Sequence, residues 1–357
     1  MLVLTPYPYG TAPGPRSSIE LWERVLAPHG ISFDYAPFGS AKLHSALYAP
    51  GRRLTKMSRM THAYVSRFGD VRRAAEYDAV LVYREAALIG PEVFERLVAR
   101  TGTPIIYQLD DPLYVPYRSP FNGYLSYLKF FGKVGRIAAL SAVTIVNSDQ
   151  HRDYVSSFTD RIVQIPSMVD GERFRYRVRP PREDGTVCIG WTGSPSTTAN
   201  LNVIAGALRR IGARADVRLH FIGSGGFDLP GIPHTSQRWT DETEVDDLRA
   251  LDVGLLPLPD DGWTRRKFYM KLVQYMTLGI PPVCTPLGSA KHVVVPGETG
   301  FLARTEDEWV AALERLLDPN VRLTMGRAAA RRAHSFYTLQ AQAENIVRAI
   351  RAAVAPP

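Results

Sequence analysis

The chain has 357 residues, 45% hydrophobic and 22% charged, which describes a soluble globular protein with room for a core in each of two domains. Its formal net charge of +8 favours an acidic partner, whether a nucleotide, an anionic membrane surface or a nucleic acid. No stretch approaches the roughly 18 apolar residues that a membrane span requires, and the two cysteines, Cys188 and Cys284, lack the spacing of a disulfide framework or a zinc site.

The N-terminus lacks the charged start and long apolar region of a signal peptide, so the cytoplasm is the expected compartment. Residues 2–5 read as a strand and run into a loop that carries Gly10 and Gly14, then Arg16. Ser17 and Glu20 follow at the spacing of a capping box, and a strand, a glycine loop and a helix start in that order offer amides and a positive dipole end to an anion. An ordinary strand-to-helix turn explains the same pattern. Residues 52–60 place Arg52, Arg53, Lys56 and Arg59 on a helix with Leu54, Met57, Met60 and Tyr64 opposite. Such a basic amphipathic pattern suits peripheral contact with an anionic membrane, or a solvated helix packed on its own domain.

Further strands are expected at 79–83, 104–109, 142–147 and 162–165. Arg84 ends the first of these, and Asp110 and Asp111 end the second, at the edge where open α/β sheets bind ligands. Either aspartate could accept a proton from an acceptor hydroxyl or stabilise positive charge on a sugar ring, with Arg84 orienting the acceptor or the pair. A turn cap before Pro112 and a structural salt bridge are the plain alternatives. The polar run 170–186 reads as an interdomain linker, with the boundary near residue 180.

The strand pattern resumes at 187–191, 217–222, 253–256 and 280–285, so the expected fold class is α/β with two Rossmann-like domains. Gly193 and Ser194 follow the first of these strands and precede Pro195 at a helix start, with Ser194 as its cap, a backbone suited to a diphosphate. Gly223 closes the next strand in a glycine loop that suits a nucleoside or a sugar. Lys267, Lys271 and Gln274 fall at spacings of four and three, which would set two cations and an amide on one helix face before Gly279 ends the helix. Thr305 and Glu308 form a capping box. The last segment places Leu339, Ile346 and Ile350 on one apolar stripe. His62, His151, His220 and His292 are scattered, and no metal ligand is expected among them.

Residues 186–332 resemble the nucleotide-sugar-binding half of glycosyltransferase family 4, retaining enzymes of the two-domain GT-B fold. The resemblance rests on Ile189-Gly-Trp-Thr-Gly-Ser194, Phe221-Ile-Gly-Ser-Gly225, Asp252-Val-Gly-Leu-Leu-Pro-Leu258, Lys271-Leu-Val-Gln-Tyr-Met-Thr-Leu-Gly-Ile-Pro281 and Gly297-Glu-Thr-Gly-Phe-Leu302, in that order. The first half is similar through Ile145-Val-Asn-Ser148 and Ile165-Pro166-Ser-Met-Val-Asp170. The resemblance implies two domains facing across a cleft, 1–170 and 171–335, with a terminal helix, 336–357, crossing back to the first. It also implies metal-independent transfer of a sugar from a nucleoside-diphosphate donor to a small-molecule, glycan or lipid-linked hydroxyl, with the leaving phosphate helping to take the proton and no further cofactor.

Two departures redistribute the roles. The arginine and lysine that family members often carry after the first strand of the second domain are replaced by Gly193-Ser194-Pro-Ser-Thr-Thr198, so Lys267 and Lys271 become the candidates for the diphosphate, with Gly14 contributing from the first domain. Of the paired glutamates that hold sugar and ribose, the later aligns with Gln274 and the earlier with Arg266. Gln274 can still hydrogen-bond a ribose hydroxyl, and Trp239 stands where the family approaches the nucleobase. A non-catalytic nucleotide-sugar-binding subunit and a nucleotide-sugar epimerase of the same fold are the alternatives. No nucleic-acid recognition module is present, so nucleic acid is not expected as a partner.

Overall fold

The computed structural model describes residues 1–47, 53–118, 123–178, 180 and 182–354. They form two compact units, Met1–Ser167 with Gln342–Pro357, and Met168–Ala341.

The first unit is built on six parallel strands: β1 (Leu2–Thr5), β2 (Asp34–Pro37), β3 (Val80–Tyr83), β4 (Ile105–Leu109), β5 (Val143–Val146) and β6 (Ile162–Gln164), in the spatial order β2-β1-β3-β4-β5-β6. Every residue of β1, β3, β4 and β5 is buried, as their unbroken apolar runs require of strands covered on both faces. The pairing of Tyr83 with Gln108 brings the next residues of β3 and β4, Arg84 and Asp110, out at the same edge.

Two local expectations fail in this unit. The chain after β1 makes a one-turn helix, Pro13–Arg16, and then Ile19–Leu26, whose N-cap Ser18 makes no side-chain capping bond. Ser17 instead donates its hydroxyl to Pro13 O (3.0 Å), and Glu20 accepts the Gly10 N–H (3.0 Å), so the expected capping box is absent. In the helix Arg53–Arg73, Tyr64 and Met60 pack on the core as expected, but Leu54 and Met57 face outward. The cations turn inward to backbone carbonyls, Arg59 Nη1 to Lys42 O at 2.5 Å and Lys56 Nζ to Leu47 O at 3.5 Å. Arg52 lies outside the described residues.

The second unit repeats the design with β7 (Val187–Thr192), β8 (Val217–Ile222), β9 (His234–Gln237), β10 (Val253–Leu256), β11 (Pro282–Cys284) and β12 (Phe301–Leu302), parallel and ordered β12-β11-β10-β7-β8-β9. Trp191, Phe221, Leu255 and Trp309 fill one face of this sheet. The capping box at Thr305 and Glu308 forms as its spacing predicts, with Thr305 Oγ1 accepting the Glu308 N–H (3.3 Å) and Glu308 accepting the Thr305 N–H (3.1 Å). The expected linker is anchored rather than free. Phe174 is buried, and Arg182 meets Asp252 (3.1 Å) and Ala250 O (2.5 Å), so its polar residues serve to fasten it to the second unit.

Most of the terminal helix Leu339–Val354 belongs to the first unit, and its stripe residues Leu339, Ile346 and Ile350 are buried. Both cysteines are buried. Among the described residues no helix is long and apolar enough to cross a membrane.

Candidate functional site

In the second unit the chemistry gathers at the C-terminal ends of β7 and β8. Gly193 leaves β7 with its N–H donated to Ile222 O (3.0 Å), and Gly223 leaves β8 with its N–H donated to Gln237 O (2.7 Å). The two loops touch. A Cβ on Gly223 would stand 2.1 Å from Gly193 O, and the φ of +73° at Gly223 also demands glycine. Pro195 opens the segment Pro195–Ile204 as its position suggests, but this is a 3-10 helix and Ser194 does not cap it. The Ser194 hydroxyl shares a hydrogen bond with Ser196 (2.8 Å), and its carbonyl accepts the Thr197 N–H (2.9 Å).

The helix that brings Lys271 to this edge is Met270–Thr277. It is registered to the sheet by Tyr275, whose Oη accepts the Thr192 N–H (3.0 Å) and whose ring lies where a Cβ on Gly254 would be, 2.5 Å away. One turn earlier, Lys271 sets its Nζ over the Trp191 ring, 4.4 Å from the centroid, and 2.6 Å from where a Cβ of Gly193 would be. A side chain at 193 would fill the space in front of the ammonium.

Lys267 is not on this helix. The helix begins three residues later because the preceding segment is held in an extended form: Lys267 has φ −88° and ψ 146°, Lys267 O accepts the Ser289 N–H (3.2 Å), and the Tyr269 N–H is taken by Ser289 Oγ (3.0 Å). The two lysines are neighbours nonetheless. Burial first, and then the charge of Lys267, push the Lys271 ammonium down to about 7. Among the described residues no carboxylate pairs with Lys271.

Gln274, one turn beyond, donates Nε2 to Glu244 Oε1 (3.0 Å), and Trp239 donates its indole N–H to the same oxygen (3.2 Å). Arg173 reaches the other oxygen (3.2 Å). Burial raises the Glu244 carboxyl above its ordinary range against the opposing pull of Arg173. Trp239 Cβ also lies 3.1 Å from where a Cβ of Gly223 would be, which joins this group to the glycine loops. Glu244 is the residue that sequence reasoning missed. Arg266, at the other glutamate position, is exposed and donates to Gly262 O (2.7 Å). Among the described residues no cluster of three metal-ligating side chains occurs.

The first unit holds a separate group at the ends of β3 and β4. Arg84 has φ +64°, a left-handed conformation costing a side-chain-bearing residue about 1 kcal/mol or more. Its backbone is held on both sides, the N–H by Gln108 O (2.9 Å) and the carbonyl by Tyr107 Oη (2.9 Å). Its guanidinium grips Asp110 through Nε (2.5 Å) and Nη2 (3.0 Å), and Asp111 through Nη2 (2.6 Å). Burial opposes the charge on Arg84, but Asp110 and Asp111 outweigh it and hold the guanidinium well above its ordinary range. Asp110 also accepts the Tyr83 hydroxyl (2.6 Å), so both of its oxygens are engaged. Gly14 belongs to this group, since a Cβ there would stand 2.5 Å from Tyr83 Oη and 2.8 Å from Arg84 Nη2.

Known proteins share this fold. Residues 186–319 match the family model described as Glycosyl transferases group 1. Sucrose-phosphate synthase from Thermosynechococcus elongatus superposes with a TM-score of 0.70 at 16% identity, covering 98% of each chain. Anabaena HepE in complex with UDP-glucose gives 0.67 at 15% identity over 98% of this chain and 99% of that one. A glycosyltransferase from Rickettsia africae gives 0.67 at 13% identity over 100% and 99%. A comparison with curated proteins by sequence gives no match. At such identities the structural likeness establishes fold and not chemistry. The chain has the GT-B fold, and residues 186–319 of its second unit are similar to glycosyl transferases group 1.

Proposed function

We propose that the protein is a retaining glycosyltransferase that moves a sugar from a nucleoside-diphosphate donor to an acceptor hydroxyl. The observation that carries this reading is Lys271, an ammonium set against Gly193 and Trp191 with no carboxylate partner among the described residues. A partly buried cation without a counter-ion is a site prepared for an anion, and its depressed pKa records the cost of holding the charge there alone. The donor diphosphate meets Lys271 and Lys267, with the Gly193 and Ser194 backbone beside it. The nucleoside extends over Gly223 toward Trp239, Gln274 and Glu244. HepE, with the same fold, is a structure in complex with UDP-glucose, which supports a nucleotide sugar here.

As the bond from the anomeric carbon to the diphosphate breaks, negative charge grows on the leaving oxygen, and two lysines stabilise it more in the transition state than in the ground state. They do the work a metal ion would do, so the reaction is assigned none, and no cofactor beyond the donor. The acceptor oxygen bonds to the anomeric carbon on the face that the diphosphate leaves, and its proton passes to the departing phosphate oxygen. The engagement of both Asp110 oxygens favours that route over a base at the end of β4. In this reading Arg84, Asp110 and Asp111 orient a small-molecule, glycan or lipid-linked acceptor.

The test is product analysis by NMR after incubation with nucleotide sugars and acceptors in the presence of a chelator. A product that keeps the donor's anomeric configuration supports the proposal. An inverted product, or turnover that the chelator abolishes, contradicts it.

A further inference from the structure

We infer that Glu244 is the side chain that takes the ribose hydroxyls of the donor, with Gln274, Trp239 and Arg173 as positioning residues for its carboxylate. The inference rests on the nucleoside-diphosphate reading above and deepens it, because it makes Glu244 the residue that selects a ribonucleotide over its 2′-deoxy counterpart. Gln274, the amide on the helix of Lys271, then acts through Glu244 and does not itself select the sugar.

Three elements converge on this one carboxylate. Gln274 comes from the helix Met270–Thr277, Trp239 from the loop after β9, and Arg173 from the segment that opens the second unit. Gln274 Nε2 and the Trp239 indole both donate to Oε1, and Arg173 Nη2 donates to Oε2. Arg173 already has a carboxylate in Asp241, at 3.0 Å. Neither Gln274 nor Trp239 is fully buried, so water can serve their N–H groups. The three donors therefore fix the carboxylate more than it fixes them, and they do so where burial resists its charge. A carboxylate offers about four acceptor sites. Oε1 has both of its own filled, whereas Oε2 keeps one beside Arg173, and the side chain is still 13% exposed.

Position selects the part of the ligand that meets it. Gln274 stands three residues beyond Lys271 on the same helix, about 4.5 Å further along its axis. In a nucleoside diphosphate the ribose is bonded directly to the diphosphate, and the base lies beyond it. A group one turn from the phosphate lysine therefore meets the sugar ring. Trp239 gives a second bearing, since its Cβ lies 3.1 Å from where a Cβ of Gly223 would be, in the loop that touches Gly193. The ribose hydroxyls are donors, and an ionised carboxylate accepts them about twice as strongly as a neutral amide carbonyl does.

The parent chain is titrated by calorimetry with uridine, guanosine, adenosine and cytidine diphosphates, and the tightest is compared with its 2′-deoxy form. The parent binds the ribose form about tenfold or more tightly. Glu244→Ala brings that ratio to within about twofold of unity, and Glu244→Gln, which keeps the shape of the side chain, leaves it in between. Circular dichroism checks that both variants fold. Gln274→Leu keeps a higher ratio than Glu244→Ala. A purely structural role for Glu244 would weaken both nucleotides alike and leave the ratio unmoved. A parent that binds both forms equally tightly overturns the inference and leaves the transferase reading standing, as does a Glu244→Ala variant with the parent's ratio. Loss of the preference in Gln274→Leu with its retention in both Glu244 variants would give the hydroxyls to the amide, and would also overturn it. A parent that binds none of the diphosphates defeats the transferase reading, and this inference with it.

Discussion

At the scale of single residues, the proposed function makes Lys271 the residue on which ligand binding turns. Lys271→Ala should remove the rise in melting midpoint that a nucleoside diphosphate produces in the parent protein, since only a ligand of the folded state stabilises it. The parent's affinity should fall as pH passes upward through about 7, where the free ammonium loses its proton. Calorimetry at pH near 8 in buffers of different ionisation enthalpy should then report proton uptake on binding, because the diphosphate restores the charge. Folding responds in the opposite sense. The folded pKa of about 7 lies below the 10.5 of an ordinary lysine, so the unfolded chain binds more protons between them and this group's contribution to stability rises with pH across that window. Glu244→Ala should weaken nucleoside-diphosphate binding, as Trp239 and Gln274 lose their shared acceptor, and Glu244→Gln should restore part of it. Asp110→Ala should destabilise the fold by about 1–3 kcal/mol, read by denaturant titration, because it leaves the partly buried Arg84 with Asp111 as its remaining carboxylate and the buried Tyr83 hydroxyl without its acceptor. Asp111→Asn should be milder.

At the scale of elements, glycines fix how closely the parts approach. Gly193→Ala should abolish diphosphate binding and lower stability by about 1–3 kcal/mol, measured by titration and thermal melting. The new methyl would stand 2.3 Å from the fully buried Trp191 ring and 2.6 Å from Lys271 Nζ. The central strands were legible in the sequence because burial on both faces leaves an unbroken apolar run. β2, β9 and β12 were not, since they lie at or beside sheet edges and β9 is the polar His234-Thr-Ser-Gln237. Thr305 and Glu308 announced their helix because a capping box is local. Ser17 and Glu20 have the same spacing, but Gly10 claims the carboxylate and Pro13 and Gly14 claim the hydroxyl. The helix start at Met270 depends on the bond from the Tyr269 N–H to Ser289, twenty residues further along the sequence, which no spacing rule sees. Glu244 was hidden for a similar reason: it sits in an acidic run with Asp241, Glu242, Asp246 and Asp247, and only tertiary structure sets it beside Trp239 and Gln274.

At the scale of the whole molecule, structural relatives at 13–16% identity span nearly the entire chain, so the architecture is held by pattern and packing and not by particular side chains. Function must be argued from the sites instead. The replacement of a family glutamate by Gln274 leaves a binding protein without turnover as the rival to an enzyme, and the two differ in one observable. A panel of nucleotide sugars is incubated with the parent protein and with Lys271→Ala, and release of nucleoside diphosphate is followed over time. The account predicts that the parent consumes at least one donor and that the variant is slower by about a hundredfold or more. Tight binding of donors by the parent with none consumed, or a variant that consumes them at the parent's rate, would contradict it.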